Sequence, residues 1–337
     1  MPWRSPLTTR QMTPDLVNIA DNEIPAAPRS SVVQTTDGVA IRAAVWSPEK
    51  GRARGTVTVI QGRNEFIEKY FETVRDLLDR GFAVATYDWR NQGGSERVLR
   101  NGACHVESFA DYDRDLDAVM QQIVLPDCPP PYFALAHSMG ALSCLRAARD
   151  RRVRFERMVL LTPMLELSRF ASPPMRVVRF VSGLNLFLGR DRHQISAKPW
   201  KRWREADPHR DFRLERTRTI LRAAPQLGTG LPTFRWLHAS ALAMRDAERS
   251  AFAAAIRIPA LIFIAGADNV VANAPQLRLA EALKSGSQLL LPGARHEILM
   301  EADEIRAAFW AGFDAFIPGT PLPAERLTSE DAEHTVV

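Results

Sequence analysis

The pentapeptide Ala-His-Ser-Met-Gly at residues 136–140 joins an apolar run to a stretch of small residues. The run, residues 132–135, has the character of a buried strand, and the small residues suit a closely packed helix. A serine on a sharp turn between strand and helix is lifted clear of the sheet, so that its hydroxyl faces a substrate. The turn favours small residues at Ala136 and Gly140, on either side of the serine. We therefore predict that Ser138 is a nucleophile in an α/β protein.

Two later strand ends carry the partners that a serine nucleophile needs. Residues 258–268 form an apolar strand that stops at a glycine turn with Asp268, and residues 288–297 form a short strand followed by a loop with His296. A histidine must take the serine proton, and a carboxylate must orient that histidine. The order Ser138, Asp268, His296 is the one expected of α/β-hydrolases, and it predicts a catalytic triad.

Each of these residues also has a structural interpretation. Ser138 suits a helix N-cap, Asp268 could cap a helix over residues 275–283, and a lone loop histidine such as His296 usually faces solvent. His137 lies beside the nucleophile, but a neighbour on a sharp turn points elsewhere. We predict a structural role for His137.

Five short blocks, in order along the chain, resemble the lysophospholipase and monoacylglycerol lipase branch of the α/β-hydrolases, also described as serine aminopeptidase S33-type hydrolases. The resemblance covers roughly residues 32–316, and its wording is most similar to bacterial lysophospholipase L2-like proteins at residues 62–71. The blocks are residues 61–65 with Tyr70, 87–95, 136–140, 266–271 and 293–297. The resemblance implies an α/β-hydrolase fold, with a mostly parallel central sheet, helices on both faces and a helical cap insertion.

The chain departs from the family pattern at four positions. Gln61 replaces a histidine, Ala136 and Ala141 replace glycines, and Asn91 stands where glycine is usual. None of these changes removes a catalytic atom.

The resemblance also implies an oxyanion hole. A tetrahedral intermediate carries a negative oxygen that needs preorganised N–H donors. The matching positions are the backbone amides of Met139, after the nucleophile, and Arg63, after the glycine of the first block.

Composition narrows the class of protein. The chain has 337 residues, 46% of them hydrophobic and 25% charged, which suits a folded globular protein. It has no apolar run long enough to span a membrane, and its first residues lack the apolar core of a secretory signal. Histidines and cysteines do not occur at zinc spacing, so we expect no metal and no cofactor. The three cysteines, Cys104, Cys128 and Cys144, suit free thiols in a reducing cytoplasm.

Alternating strands and helices predict a parallel sheet, which an N-terminal hairpin turning at Asp37-Gly38 extends with antiparallel strands. The predicted organisation is a loose lead-in (1–30), a core (31–164 and 256–317), a helical cap (165–255) and a disordered tail (318–337).

The predicted cap holds the basic excess of the chain. Its seventeen Lys or Arg and eight Asp or Glu give a net charge of +9, against −4 for the remainder and +5 overall. One interpretation is a lid that docks on an anionic lipid surface; the other is an amphipathic cap whose apolar face packs on the core. The interleaved apolar residues are Phe170, Met175, Val177, Val178, Phe180, Val181, Leu184, Leu186, Phe187, Trp200 and Trp203.

The predicted function is that of a serine ester hydrolase acting on lysophospholipids in the cytoplasm, peripheral to the inner face of the membrane. Monoacylglycerol lipase activity and carboxylesterase or acyltransferase activity on small esters are the alternatives. A hydrolase-like binding protein without turnover is a third hypothesis. No motif indicates a nucleic-acid partner.

Overall fold

The computed structural model describes residues 15–49, 51–195 and 211–319, and in these residues the strands form a single sheet whose edge strands are exposed. The strands are β1 (Arg29–Gln34), β2 (Ala40–Trp46), β3 (Thr56–Ile60), β4 (Ala83–Tyr87), β5 (Tyr132–His137), β6 (Arg157–Leu161), β7 (Ala260–Ala265) and β8 (Gly286–Leu291). They pair in the order β1-β2-β4-β3-β5-β6-β7-β8.

Pairing from β4 to β8 is parallel, and β1 and β2 add antiparallel pairs at one edge. The apolar runs predict this arrangement, since a strand covered on both faces needs apolar side chains on both. The predicted hairpin is confirmed: Gly38 has a φ of 78°, and its amide donates to the Thr35 carbonyl at 2.9 Å. The carboxyl ends of the parallel strands meet at one edge, where ligand sites of such sheets lie.

Helices cover both faces of the sheet. They are α1 (Phe71–Asp79), α2 (Ala110–Val119), α3 (Leu125–Asp127), α4 (Met139–Arg149), α5 (Met175–Phe187), α6 (Asp211–Ala223), α7 (Phe234–Ala247), α8 (Ser250–Ala255), α9 (Asn273–Ala282) and α10 (Asp303–Phe316). One apolar layer includes Leu116 of α2 and Leu142 of α4. The layer on the other face includes Phe71 of α1 and Phe309 of α10.

Helical spacing of apolar residues predicts one helix over residues 66–80 and another over residues 233–254, and both differ from the observed helices. The helix predicted over residues 66–80 begins as a 3₁₀ turn, Ile67–Tyr70, before α1. The helix predicted over residues 233–254 is two helices, α7 and α8, because Arg249 has an extended backbone with a ψ of 137°.

Between β6 and β7 the described residues form helices α5 to α8 and no strand. Helices α5 and α7 pack together, with the Ser182 hydroxyl 3.1 Å from Nδ1 of His238. Met175 and Val178 of α5 are buried. Trp200 and Trp203 lie outside the described residues.

Of the predicted lead-in, residues 1–30, the described part up to residue 28 has no helix or strand but is bonded to the core, and β1 begins within it at Arg29. The Asn22 side chain donates to the carbonyl of Glu68 at 2.8 Å, and Trp46 Nε1 donates to the Pro25 carbonyl at 3.1 Å. Residues 1–14, and the predicted tail from residue 320 onward, lie outside the described residues.

Candidate active site

Ser138 lies on the turn between β5 and α4. Its φ of 52° and ψ of −113° place it among backbone conformations with positive φ, which residues other than glycine rarely adopt. A Cβ on Gly140 would overlap the carbonyl oxygens of Ile60 and Gln61, so the turn requires glycine there. The Ser138 side chain makes no N-cap hydrogen bond to α4, which argues against the capping interpretation.

The structure brings Ser138, His296 and Asp268 together. The Ser138 Oγ is 2.9 Å from Nε2 of His296, and Nδ1 of the same ring is 2.8 Å from Oδ2 of Asp268. A carboxylate only accepts hydrogen bonds, so Nδ1 carries the proton and Nε2 accepts the hydroxyl of Ser138. This tautomer is the one that a general base beside a serine requires.

Asp268 holds the histidine and its own loop at once. Its second oxygen, Oδ1, accepts the amides of Val270 at 2.7 Å and Val271 at 3.0 Å. Burial alone raises the pKa of Asp268, but the charge and hydrogen bond of His296 and the two amides outweigh it and lower the pKa. Asp268 does not cap α9, whose N-cap is Ala272.

His137 connects two loops of the site. Its Nδ1 is 3.1 Å from Oε2 of Glu65, and its Nε2 is 3.0 Å from the carbonyl oxygen of His296. Both partners are acceptors, so both ring nitrogens carry protons and the ring is an imidazolium. Burial lowers the pKa of His137, but the charge and hydrogen bond of Glu65 raise it above the ordinary 6.5.

Glu65 is the buried centre of the loop that follows β3. It accepts hydrogen bonds from Lys69 Nζ at 2.6 Å, from the Tyr70 hydroxyl at 2.7 Å and from the Gly62 amide. Burial raises the pKa of this carboxyl, but Lys69 and His137 outweigh burial and hold the pKa well below 4.5. Glu65 therefore stays ionised and fixes the loop.

The two predicted oxyanion amides lie on the two segments that meet at Ser138. The Met139 amide is the first of α4, and first-turn amides have no partner inside their helix. Arg63 lies between Gly62 and Asn64, whose amides donate to the side chains of Glu65 and Gln92. The loop backbone is thus fixed on both sides of Arg63.

The structure gives a physical reason for one departure from the family pattern, Asn91, and shows the contacts of a second, Gln61. Asn91 has a φ of 66°, which asparagine tolerates better than most residues. Its side chain donates to the His105 carbonyl at 2.6 Å and accepts the Val98 amide at 2.7 Å. Gln61 Nε2 donates to the Thr86 hydroxyl at 3.3 Å, while its buried Oε1 has no partner among the described residues.

A cavity of about 360 Å³ opens beside Ser138 and His296. It lies between the sheet edge and helices α6 and α7, and a volume of this size is ordinary for a small-molecule site. Most of its apolar wall comes from the segment between β6 and β7. The apolar side chains on this wall include Met164, Leu167, Leu221, Trp236, Leu237 and Met244.

Residues 51–303 match the family described as serine aminopeptidase, S33. The chain belongs to this family of α/β-hydrolases. The S33 hydrolase is a carboxylic ester hydrolase of the branch that includes lysophospholipases and monoglyceride lipases. The expected fold, a mostly parallel sheet with helices on both faces, is confirmed.

Relatives and solved structures resemble the S33 hydrolase over most of its length. Lysophospholipase L2 of Escherichia coli (strain K12) is 32% identical over 265 residues, or 74% of this chain and 76% of the relative. Probable lysophospholipase L2 of Haemophilus influenzae is 25% identical over 256 residues, or 75% and 80%. A soluble variant of monoglyceride lipase from Saccharomyces cerevisiae, solved with a substrate analogue, has a TM-score of 0.67 at 19% identity. That match covers 86% of this chain and 95% of the solved one.

Sequence reasoning missed part of the site of the S33 hydrolase. Its motifs include Glu65, but they do not indicate that Glu65 contacts His137, which is 72 residues away. Trp236 and the rest of the α7 wall belong to no motif.

None of the helices in the described ranges has the length and hydrophobicity of a membrane span.

Proposed function

We propose that the S33 hydrolase cleaves the acyl ester of lysophospholipids through Ser138, His296 and Asp268. The observation that carries this proposal is the chain of hydrogen bonds, 2.9 Å and 2.8 Å long, that ends at a serine facing the cavity. An intact serine, base and orienting carboxylate in one line is the arrangement that activates a hydroxyl at neutral pH.

The reaction proceeds in two halves. Ser138 Oγ attacks the ester carbonyl while His296 Nε2 takes its proton, and the amides of Arg63 and Met139 stabilise the oxyanion. His296 then gives the proton to the leaving glycerol oxygen, which leaves an acyl group on Ser138. Water, deprotonated by His296, attacks this acyl-enzyme and releases the fatty acid. Asp268 stabilises the histidine cation in both halves.

The substrate class rests on the relatives and on the cavity. The two bacterial relatives above are named lysophospholipase L2. The apolar wall of the cavity, with Leu221, Trp236 and Met244, suits a hydrocarbon chain next to the reacting serine. A lysophospholipid has a single acyl chain, which one cavity of this size is suited to receive.

The predicted cap, residues 165–255, acts in this proposal as a lid that docks on an anionic membrane. Helix α5 carries an outer apolar face at a spacing of three and four residues, with Phe180 72% exposed and Phe187 87% exposed. The outer face of α5 also includes Val177, Val181 and Leu184, and Leu188, directly after the helix, continues it. Arg176 and Arg190 are exposed nearby and suit anionic headgroups.

The proposal includes a location in the cytoplasm, at the inner face of the membrane, and the apolar surface of α5 supports it. The three cysteines support a reducing compartment, because all three are buried free thiols. An enzyme docked by α5 would take its substrate from the bilayer.

The test is fatty-acid release by the purified protein from lysophosphatidylcholine, lysophosphatidylethanolamine, monoacylglycerol and a short nitrophenyl ester, with Ser138→Ala as the blank. Release from the lysophospholipids should fall by a factor of about 10⁴ or more in the variant. A circular-dichroism melt of the variant checks that it is folded.

Other outcomes select other functions. Release from monoacylglycerol alone would make the protein a monoacylglycerol lipase, and release from the short ester alone would make it a general carboxylesterase. No release from any ester, together with no labelling of Ser138 by a fluorophosphonate, would favour a binding protein without turnover.

A further inference from the structure

The cavity beside Ser138 carries more cationic than anionic side chains. Among the described residues, two carboxylates face five cations on its wall. The carboxylates are Glu65 and Glu297, and the cations are Arg63, Lys69, Arg218, Arg295 and the His137 imidazolium. An excess of positive charge in a partly enclosed cavity favours an anionic ligand, because low-dielectric walls strengthen the field.

Lys69 is engaged with both carboxylates. Its Nζ is 2.6 Å from Oε1 of Glu65 and 3.0 Å from Oε2 of Glu297. The His137 imidazolium is bonded to Glu65 as well, so two cations and two carboxylates form a compact group that fixes the loops. The positive excess of the cavity wall therefore lies with the three arginines.

The three arginines come from three separate elements and converge on the cavity. Arg63 is in the loop after β3, Arg218 is on α6, and Arg295 is in the loop after β8, directly before His296. The Arg63 guanidinium lies 5.5 Å from the ring centroid of Trp236, which is itself a wall residue. Arg63 carries one of the proposed oxyanion amides, and Arg295 is the neighbour of the proposed base. Both arginines are therefore close in the chain to groups that act on the ester in the proposed reaction.

We propose that Arg63, Arg218 and Arg295 form a phosphate-binding region that makes lysophospholipids better substrates than monoacylglycerols with the same acyl chain. This inference rests on the proposed function. In a lysophospholipid the glycerol backbone separates the ester from the phosphate by only a few bonds, so an ester held at Ser138 places its phosphate within reach of these side chains. A guanidinium suits phosphate because its N–H groups pair with two oxygens at once.

The experiment compares two substrates that differ only in the phosphate headgroup. Octanoyl-lysophosphatidylglycerol and mono-octanoylglycerol, both kept below their micelle concentrations, remove any contribution from docking on a lipid surface. The measured quantity is the ratio of their kcat/KM values. Arg218→Gln and Arg295→Gln should each lower the ratio about tenfold, the effect of losing a charged hydrogen bond.

Arg222→Gln is the matched control. Arg222 is one turn further along α6, is exposed and, like Arg218, forms an ion pair with Glu215, but it does not line the cavity. This variant loses the same charge from the same helix and should leave the ratio unchanged. Added salt should lower the ratio for the wild type and less so for Arg218→Gln, because salt screens a partly exposed charge.

Retained hydrolysis of mono-octanoylglycerol shows that each variant is folded. Calorimetric binding of octanoyl-lysophosphatidylglycerol to Ser138→Ala, with and without Arg218→Gln, measures the phosphate contribution without turnover. An unchanged ratio in both cavity variants, with both substrates still cleaved, would overturn the phosphate-binding region and leave the proposed function intact. Absence of Ser138-dependent release from either substrate would overturn both.

Discussion

Nε2 of His137 lies 3.0 Å from the carbonyl oxygen of His296, and the centroids of the two rings are 4.9 Å apart. The residue before the proposed nucleophile is thereby bonded to the backbone of the proposed base. Because the other nitrogen of His137 bonds to Glu65, one buried ring holds the loop after β3 and the histidine loop in register. These contacts suit a residue that positions the groups proposed to act on the substrate.

Replacing this ring tests the positioning role. His137→Gln should lower kcat about tenfold to a hundredfold, because the His296 loop loses a fixed donor and small displacements of a base are costly in rate. KM should change little, since His137 holds other residues and not the acyl chain. The pH profile of kcat separates this role from a structural one. A variant that only loses stability would keep the wild-type kcat at temperatures where it is folded.

The same ring predicts how stability depends on pH. The pKa of His137 is raised above 6.5 in the folded state. Its contribution to stability is therefore fully present below the pKa of the unfolded state, and it is lost as pH rises through the pKa of the folded state. The free energy of unfolding of the wild type should exceed that of His137→Gln by more at about pH 6 than at about pH 9. Urea titrations at both pH values measure this. A difference that grows with pH would contradict the imidazolium assignment.

Asp268→Asn should lower kcat about a thousandfold or more, because an amide in place of Oδ2 favours the wrong tautomer of His296. The loop should persist, since the asparagine oxygen can still accept the amides of Val270 and Val271. Steady-state kinetics on a lysophospholipid measure the effect, and Glu304→Gln, at an exposed position on α10, is the control. Retention of most of the activity would contradict the assigned role of Asp268.

Gly140→Ala should destabilise the fold by about 2–3 kcal/mol, the range of overpacking changes. The added Cβ would overlap the carbonyls of Ile60 and Gln61 and displace the turn that carries Ser138. Gly183→Ala is the control, because its Cβ would lie 3.4 Å from the His238 ring in ordinary contact. Chemical denaturation of both variants provides the comparison, and equal stability of the two would contradict this account of the turn.

The proposed membrane docking uses the outer face of α5. The double variant Phe180→Ser/Phe187→Ser should bind vesicles rich in phosphatidylglycerol at least about tenfold more weakly, since two large exposed rings leave water on docking. Leu290→Ser removes a 56% exposed apolar side chain from β8 and should change binding little. Vesicle sedimentation measures both. Equal binding by the wild type and the double variant would exclude α5 as the docking surface.

The alternation of strands and helices could be predicted because buried parallel strands are apolar runs, continuous in β7 and in β5 up to Ala136. Ser138, Asp268 and His296 could be placed at one edge because each follows such a run. The break between α7 and α8 could not be predicted, since residues 233–254 keep a helical pattern across it.

Contacts between distant residues set the remaining features. Nothing near Glu65 in the sequence specifies its bond to His137, which follows from the parallel pairing of β3 with β5. The apolar residues of α5 permit both interpretations of the cap, as a membrane-docking lid and as a cap packed on the core. The structure assigns these residues to two faces: Val178 is buried, whereas Phe180 and Phe187 are exposed. Helical spacing alone does not say which of two apolar faces a neighbour covers.

The left-handed backbone of Ser138, with its φ of 52°, lowers the thermal stability of the fold at the residue that the proposed turnover requires. Such a conformation costs roughly 1–3 kcal/mol for a residue with a side chain, and glycine relieves most of this strain. A chain freed from selection for hydrolysis would gain thermal resistance by exchanging this serine for glycine. The protein retains a less stable backbone at the residue that we propose as its nucleophile.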